Sequence, residues 1–366
     1  MMLPSDWLPI VAEHESRLLS SLDLDGYTFV QGGPFGNSLE FRPGAQWMVL
    51  EAEHPHLPKR AVRLPIHERF TRKDHIQRLT AVSQKLDEHE VTWFPEFELK
   101  SYDFGEQVTF RPCPIMVMDW IEGETYASAL WKQRKHPNSL ADLQMNFSRL
   151  MDEMRETGFD HGDISVTNLR VMPNGMMMLL DPDSLSHVEI SINKSLELGH
   201  PTWNHPGRSE QHTRNLHVIP EQLMSWLNTA MQNNPNLLSS EPDVEEFFYT
   251  VEDLKAPHAS PRFKSILEAC GKEPGLMGKV NEARIRRLMD ALVGDFDNIS
   301  DHIYFEEPKP KPSKVNIDYL TKHPPKPANI RKPSKLNSPK KRFMNPVPFG
   351  REFERFNFDD EQEDRP

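Results

Sequence analysis

Three observations predict an α+β fold in two parts followed by a disordered tail. Strand-like pieces crowd the stretch from about Tyr27 to Tyr102, apart from one helix. After Glu124 the apolar spacing becomes helical, and near Glu307 the composition changes abruptly. A small strand-rich part followed by a larger helical part implies a cleft between them.

The bulk numbers bound what such a chain can do. Its 366 residues suffice for one large or two ordinary domains. Hydrophobic residues make up 37%, enough for a sizeable core but low for a wholly folded chain, and the 32 prolines point the same way. A net charge of −12 argues against a nucleic-acid coat or an anionic-membrane binder. Two distant cysteines, Cys113 and Cys270, exclude a disulfide framework and fit a reducing compartment. The first residues, MMLPSDWLPIVAEHESRLL, lack the basic and apolar regions of a signal peptide. No run reaches the ~18 apolar residues of a membrane helix, so a soluble cytoplasmic protein is expected.

Taken in order, residues 1–26 are expected to form an N-terminal helical extension. From 27 to 123 the pieces YTFVQ, SLEF, QWMVLEAE and KRAVRLP read as strands. The helix among them places Ile76, Leu79, Val82 and Leu86 at helical spacing. PIMVMDWIEG is a short buried strand running into a glycine turn. From 124 to 306 helices dominate. ADLQMNFSRLMDEMRETG aligns Leu143, Phe147, Leu150, Met151 and Met154 on one face, with Gly158 as its C-terminal stop. Residues 307–366 are the tail. Between Pro308 and Pro348 it holds ten prolines and a net charge of +10; from Phe349 onward the net is −4. Such a segment cannot bury enough apolar surface to offset its ordering entropy. It reads as a linker or solubility segment, or, by its basic, proline-rich composition, as a binder of an acidic protein partner or of nucleic acid by charge alone.

The segment NLRVMPNGMMMLLD carries the most information. Asn174-Gly175 predicts a type I′ hairpin turn. Counting outward, Pro173 faces Met176, Leu169 faces Leu180, and Asn168 faces Asp181. Opposed residues stand roughly 4.5–5.5 Å apart at Cβ, close enough for a carboxamide and a carboxylate to share one hard cation. Mg²⁺ fits, because it takes oxygen ligands and leaves positions for water and phosphate. Asp163, five residues before Asn168, can accept a proton from a substrate hydroxyl. A base, a metal-binding Asn and a metal-binding Asp after a strand are recurring parts of phosphoryl transfer.

These residues also carry a resemblance. HGDISVTN (161–168) and LLDPDS (179–184) resemble the catalytic loop and metal motif of the protein-kinase-like superfamily. The chain is most similar to bacterial kinase-like proteins with an HGD-type loop and a GHPxxxHP element, here 199–206 within ELGHPTWNHP. The Gly after His is also the form of aminoglycoside phosphotransferases. The likeness runs over about 27–272.

It implies a two-lobed kinase-like fold, with lobes at 27–123 and 124–306, that binds ATP and Mg²⁺ between them. By the same likeness Asp163 is the base, His161 supports the loop, and Asn168 and Asp181 hold Mg²⁺. GGPFGNS (32–38), with Gly33 and Gly36, covers the phosphates. Arg63 stands where protein kinases have a phosphate-pairing Lys, and Asp119, Trp120 and Ile121 offer backbone hydrogen bonds to adenine. The acidic partner usual on the following helix is not evident. Gln77 falls at its place, with Glu68 and Asp74 as substitutes. Pro182 should stiffen the DPDS segment. The implied activity is transfer of the γ-phosphate, protein Ser/Thr being the preferred acceptor. The alternatives are an inactive pseudokinase used for nucleotide sensing or scaffolding, and a small-molecule kinase. The spacing of His200, His205 and His212 fits no zinc motif; loop packing is expected of them, and of Trp203.

Overall fold

A computed structural model describes residues 2–32, 38–43, 46–191, 194, 195, 197–238, 247–272, 276–299 and 303. The chain divides into two units, 1–307 and 308–366. The tail, and every expectation about it, lies outside the described residues.

The unit 1–307 is mixed α+β, sheet-rich first and helical afterwards. Helix α1 (Pro4–Ser21) is followed by short strands β1 (Thr28–Phe29), β2 (Gln31–Gly32), β3 (Ser38–Leu39) and β4 (Phe41–Pro43). Longer strands β5 (Trp47–Glu53) and β6 (Arg60–Pro65) precede α2 (Lys73–Glu88), β7 (Phe97–Tyr102) and β8 (Cys113–Asp119). The main sheet is antiparallel in the order β1-β5-β6-β8-β7, with β4 also on β5.

Alternation along the strands sorts this sheet into two faces. Val49 pairs with Arg63 and Arg63 with Met116; Ala61 pairs with Met118. These side chains share the inner face with α2. On the outer face Leu50, Val62, Leu64, Ile115 and Val117 pack with Trp7, Val11 and Leu18 of α1 in a second apolar cluster. Both faces of β8 are therefore covered, which is why its sequence is a continuous apolar run rather than an alternating one. Trp7 anchors α1 by donating its indole N–H to Pro65 O at 3.1 Å.

The second part begins with β9 (Glu124–Thr125), α3 (Tyr126–Gln133) and α4 (Pro137–Glu156). The predicted face of α4 is buried at all five positions, Leu143, Phe147, Leu150, Met151 and Met154. Strands β10 (Phe159–His161), β11 (Leu169–Val171), β12 (Met177–Leu179) and β13 (Leu185–His187) form two small antiparallel ribbons, β10-β13 and β12-β11-β9. Helices α5 (Val218–Asn233), α6 (Val251–Lys255), α7 (Pro261–Cys270) and α8 (Leu276–Val293) complete the helical core. Trp203 is 1% exposed and meets Tyr249 edge-on. His205 donates Nε2–H to Ala291 O, and His212 packs on Phe296. Among the described residues no helix is long and apolar enough to cross a membrane.

The hairpin is present, but its register differs from the prediction by one residue. Leu169 pairs with Leu179 and Val171 with Met177. The turn is Met172–Gly175, closed by Gly175 N donating to Met172 O at 2.8 Å, and Gly175 takes φ +83°. Pro173 explains the shift. Its fixed φ suits the second position of a type I turn, and Gly175 then supplies the left-handed residue of a three-residue loop. Asn168 consequently faces Leu180, whose N–H donates to Asn168 O at 2.8 Å, and Asp181 stands one residue beyond.

Candidate functional site

The polar loop between β10 and β11 is held from several sides. His161, fully buried, donates Nε2–H to Leu180 O at 2.9 Å and to Asp181 O at 3.0 Å. Its Nδ1 accepts the Asp163 N–H at 3.1 Å. Acceptance at Nδ1 requires the neutral ring, and burial holds its pKa below the ordinary value. Asn168 donates Nδ2–H to Asp163 O at 2.9 Å and to Asp163 Oδ2 at 2.8 Å. Asp163 Oδ1 accepts the His200 N–H at 2.6 Å. His161, Asp163, Asn168 and Asp181 thus form one hydrogen-bonded cluster.

Two glycines make room for it. A Cβ on Gly162 would lie 2.6 Å from Nη2 of the buried Arg208. That guanidinium donates to Gly162 O, Asn204 Oδ1 and Glu197 O, filling the space behind the loop. Gly199 adopts φ +70°, and a Cβ there would collide with Gly162 O. The segment 197–208 can therefore press its backbone against Asp163.

Across the cleft, Arg63 Nη2 donates to Asp181 Oδ1 at 2.9 Å and lies 3.8 Å from Asp183 Oδ2. Asp183, with no exposed side-chain surface, accepts from Trp47 Nε1 at 2.6 Å and His75 Nε2 at 2.8 Å. Burial alone would raise its carboxyl; the His75 hydrogen bond and the Arg63 charge outweigh it, and the group titrates below its ordinary value. Arg78 of α2 donates to the carbonyls of Asp183 and Leu185, both at 2.7 Å. The acid not evident on the following helix in the sequence is not supplied by the suggested substitutes either. Gln77, Glu68 and Asp74 are all exposed, and the acids that meet Arg63 come from the 181–183 segment instead. Helix α2 reaches that segment through His75 and Arg78. Asp181 carries the strain of the turn, with φ 76° and ψ 84°. Burial pushes its carboxyl up to about 6, Arg63 opposing and Asp183 reinforcing.

A cavity of about 540 Å³ lies between the sheet and this cluster. Val49, Ala61, Met118 and Leu180 form apolar walls; Arg63, Asp163, Asn168 and Asp181 line it as well. So do Asp119, Trp120 and Ile121. Of their N–H groups, that of Asp119 goes to Glu96 O and that of Trp120 to Lys59 O. The Ile121 N–H has no partner among the described residues. Asp119 also forms an ion pair with Arg60.

Gly33 and Gly36 lie outside the described residues. Their described neighbours Gly32 and Ser38 pair with each other and do not line the cavity. Arg42 of β4 and Gln46, just before β5, do. Arg42 stacks 4.5 Å above the Trp120 ring, and Arg170 enters the same cavity.

In the sequence Asp183 stands out only as a further carboxylate of the DPDS segment, with no role, and His75, Arg208 and Glu197 not as parts of this site. The doubled Asp of DPDS was the available signal for Asp183, and the Glu of ELGHP for Glu197. Nothing local marked His75 or Arg208. Beside the loop, Asp160 accepts from the N–H groups of Leu216 and His217 and from His217 Nδ1.

One carboxylate oxygen from each of Asp163, Asp181 and Glu197 lies within 4.8 Å of the other two. An all-oxygen set of this kind suits a hard divalent cation. No protein-family model matches the chain, and no curated protein matches it.

Proposed function

We propose that the unit 1–307 is a two-lobed, kinase-like phosphotransferase that takes ATP with Mg²⁺ and transfers the γ-phosphate to a hydroxyl, most favourably of a protein Ser or Thr. The observation that carries this reading is the convergence of Asp163, Asn168, Asp181 and Arg63 in the cavity that residues 119–121 also line. The apolar walls suit a flat base, and the Ile121 N–H offers it a donor. Asn168 and Asp181 are the residues that would hold Mg²⁺, whose role in such chemistry is to neutralise phosphate charge. The donor set fits, being oxygen throughout.

In this reading Asp163 orients the acceptor hydroxyl and takes its proton at a carboxylate oxygen. His161 and Asn168 keep that carboxylate in place, so positioning and electrostatics supply most of the acceleration. Arg63 keeps the charge of a phosphate-binding Lys and can fork onto two oxygens.

The test follows the γ-phosphate of labelled ATP in the wild type and in Asp163→Ala. Transfer to protein or water in the wild type, reduced about 10²-fold or more in the variant, is expected. No turnover with either Mg²⁺ or Mn²⁺ would sink the reading. One observation favours a nucleotide-binding pseudokinase instead: Arg63 is already paired with Asp181, the residue proposed to hold the metal. Nucleotide binding without turnover would select it.

A further inference from the structure

Glu197 is 6% exposed, and the protein satisfies only half of its carboxylate. Ser184 donates Oγ–H to Oε2, whereas Oε1 is buried with no hydrogen-bond partner among the described residues. Buried acceptors are seldom left this way, and such an orphan points to a missing donor or ion.

Arg63, Arg78 and Arg208 lie near enough to act on Glu197 by charge, but none gives its carboxylate a hydrogen bond. Arg208 and Arg78 spend the hydrogen bonds seen here on carbonyls and on Asn204, not on these carboxylates. Arg63 donates to Asp181. Asp163 accepts from two neutral donors, the Asn168 carboxamide and the His200 amide. Three carboxylates within 4.8 Å of one another therefore share one guanidinium hydrogen bond. A carboxylate offers about four lone-pair positions, so the bonds already made leave each of the three able to bind a cation.

We infer that Glu197 completes, with Asp163 and Asp181, a divalent-cation site that forms without nucleotide. This goes beyond the phosphotransfer reading, which draws on Asn168 and Asp181 and gives Glu197 no role. Oxygen-only ligation selects Mg²⁺ or Mn²⁺ over zinc or copper, with water filling the remaining positions. The Glu197 backbone is held for this task, since its carbonyl accepts from Arg208 Nη2 at 2.9 Å and from Ser195 Oγ at 2.6 Å.

The experiment is a Mn²⁺ titration of the full chain in nucleotide-free buffer, with unbound Mn²⁺ read by electron paramagnetic resonance. The wild type should take up one Mn²⁺ with a Kd of about 10⁻⁵–10⁻³ M, and Mg²⁺ should displace it. Glu197→Gln, which keeps the shape and removes the charge, should weaken binding about ten-fold or more, and Glu197→Asp by less. Wild-type protein that binds no Mn²⁺ up to millimolar concentration overturns the inference, whatever the variants do. So does a folded Glu197→Gln protein that binds as tightly as the wild type. A parallel titration with ATP separates the two ideas. Mn²⁺ taken up only with ATP overturns the Glu197 site and leaves the phosphotransfer reading standing. Mn²⁺ bound without ATP, in a protein that never binds ATP, does the reverse.

Discussion

The two walls of the cavity hold their polar groups over different distances in the chain. On the side of residues 160–184 the bonds among the chemistry-bearing residues are local, though His200 and Arg208 brace them from behind: Asn168 reaches Asp163 five residues back, and His161 reaches Leu180 and Asp181 about one hairpin ahead. On the sheet side they span the fold. Trp47 is 136 residues from Asp183, Arg63 is 118 from Asp181, and His75 is 108 from Asp183. A hairpin and its flanking loop can shape the first wall almost alone. The second is defined only when the sheet and α2 close onto the first. Asp183 is where the two meet, so it should matter more for stability than the residues to which chemistry is assigned.

The largest effect is therefore expected from Asp183→Ala. It leaves Trp47 and His75 without their acceptor in a dry site and should lower stability by about 3–5 kcal/mol, read from the denaturant midpoint. A loss no greater than that of Asp163→Ala would break the comparison. Next comes Gly199→Ala, where a left-handed backbone and a collision with Gly162 O should lower stability by about 1–3 kcal/mol and displace the His200 N–H from Asp163. Chemical-shift changes confined to residue 199 itself would contradict that coupling.

His161→Ala removes the local bonds to Leu180 and Asp181 and should cost about 1–3 kcal/mol, with loosening of residues 180–184 seen by hydrogen exchange. A smaller effect belongs to Asp160. Burial would raise its carboxyl, but the hydrogen bond and charge of His217 hold it below the ordinary 3.8. Its contribution is present above pH 3.8 and is lost as the pH falls through the folded value. Asp160→Asn should make the acid-side loss of stability shallower, whereas equal acid slopes in the two proteins would remove Asp160 from the account. The smallest effect is predicted for Gln77→Ala. Position 77 is exposed, so stability should change by no more than about 0.5 kcal/mol and the Arg63 environment not at all.

The residues of the local wall were legible because their separation is short and their signals are mechanistic. Asn174-Gly175 announced a hairpin, and the run of apolar residues on each side announced its strands. The error of one register step came from ranking Asn-Gly above the proline before it; Pro173 restricts the turn more strongly than Asn174 recommends it. The opposite wall was legible only in part. That Arg63 lies on a strand of the sheet could be read from RAVRLP, but its partner could not. The resemblance pointed to the helix after the strand, where no acid was evident, whereas the buried acids that meet Arg63 are Asp181 and Asp183.

The sequence by itself determined the division into sheet-rich and helical parts, the apolar faces of α2 and α4, and the joining of His161, Asp163, Asn168 and Asp181 by one hairpin. Periodicity, turn chemistry and short loops act within a few residues and leave little choice. Only the tertiary structure decided that Asp183 links Trp47, His75 and α2, that Arg208 fills the space behind Gly162, and that Glu197 comes within 4.8 Å of Asp163 and Asp181. Those contacts join residues far apart in the chain. They depend on which buried charges can find partners once the core has closed, and no local preference encodes that.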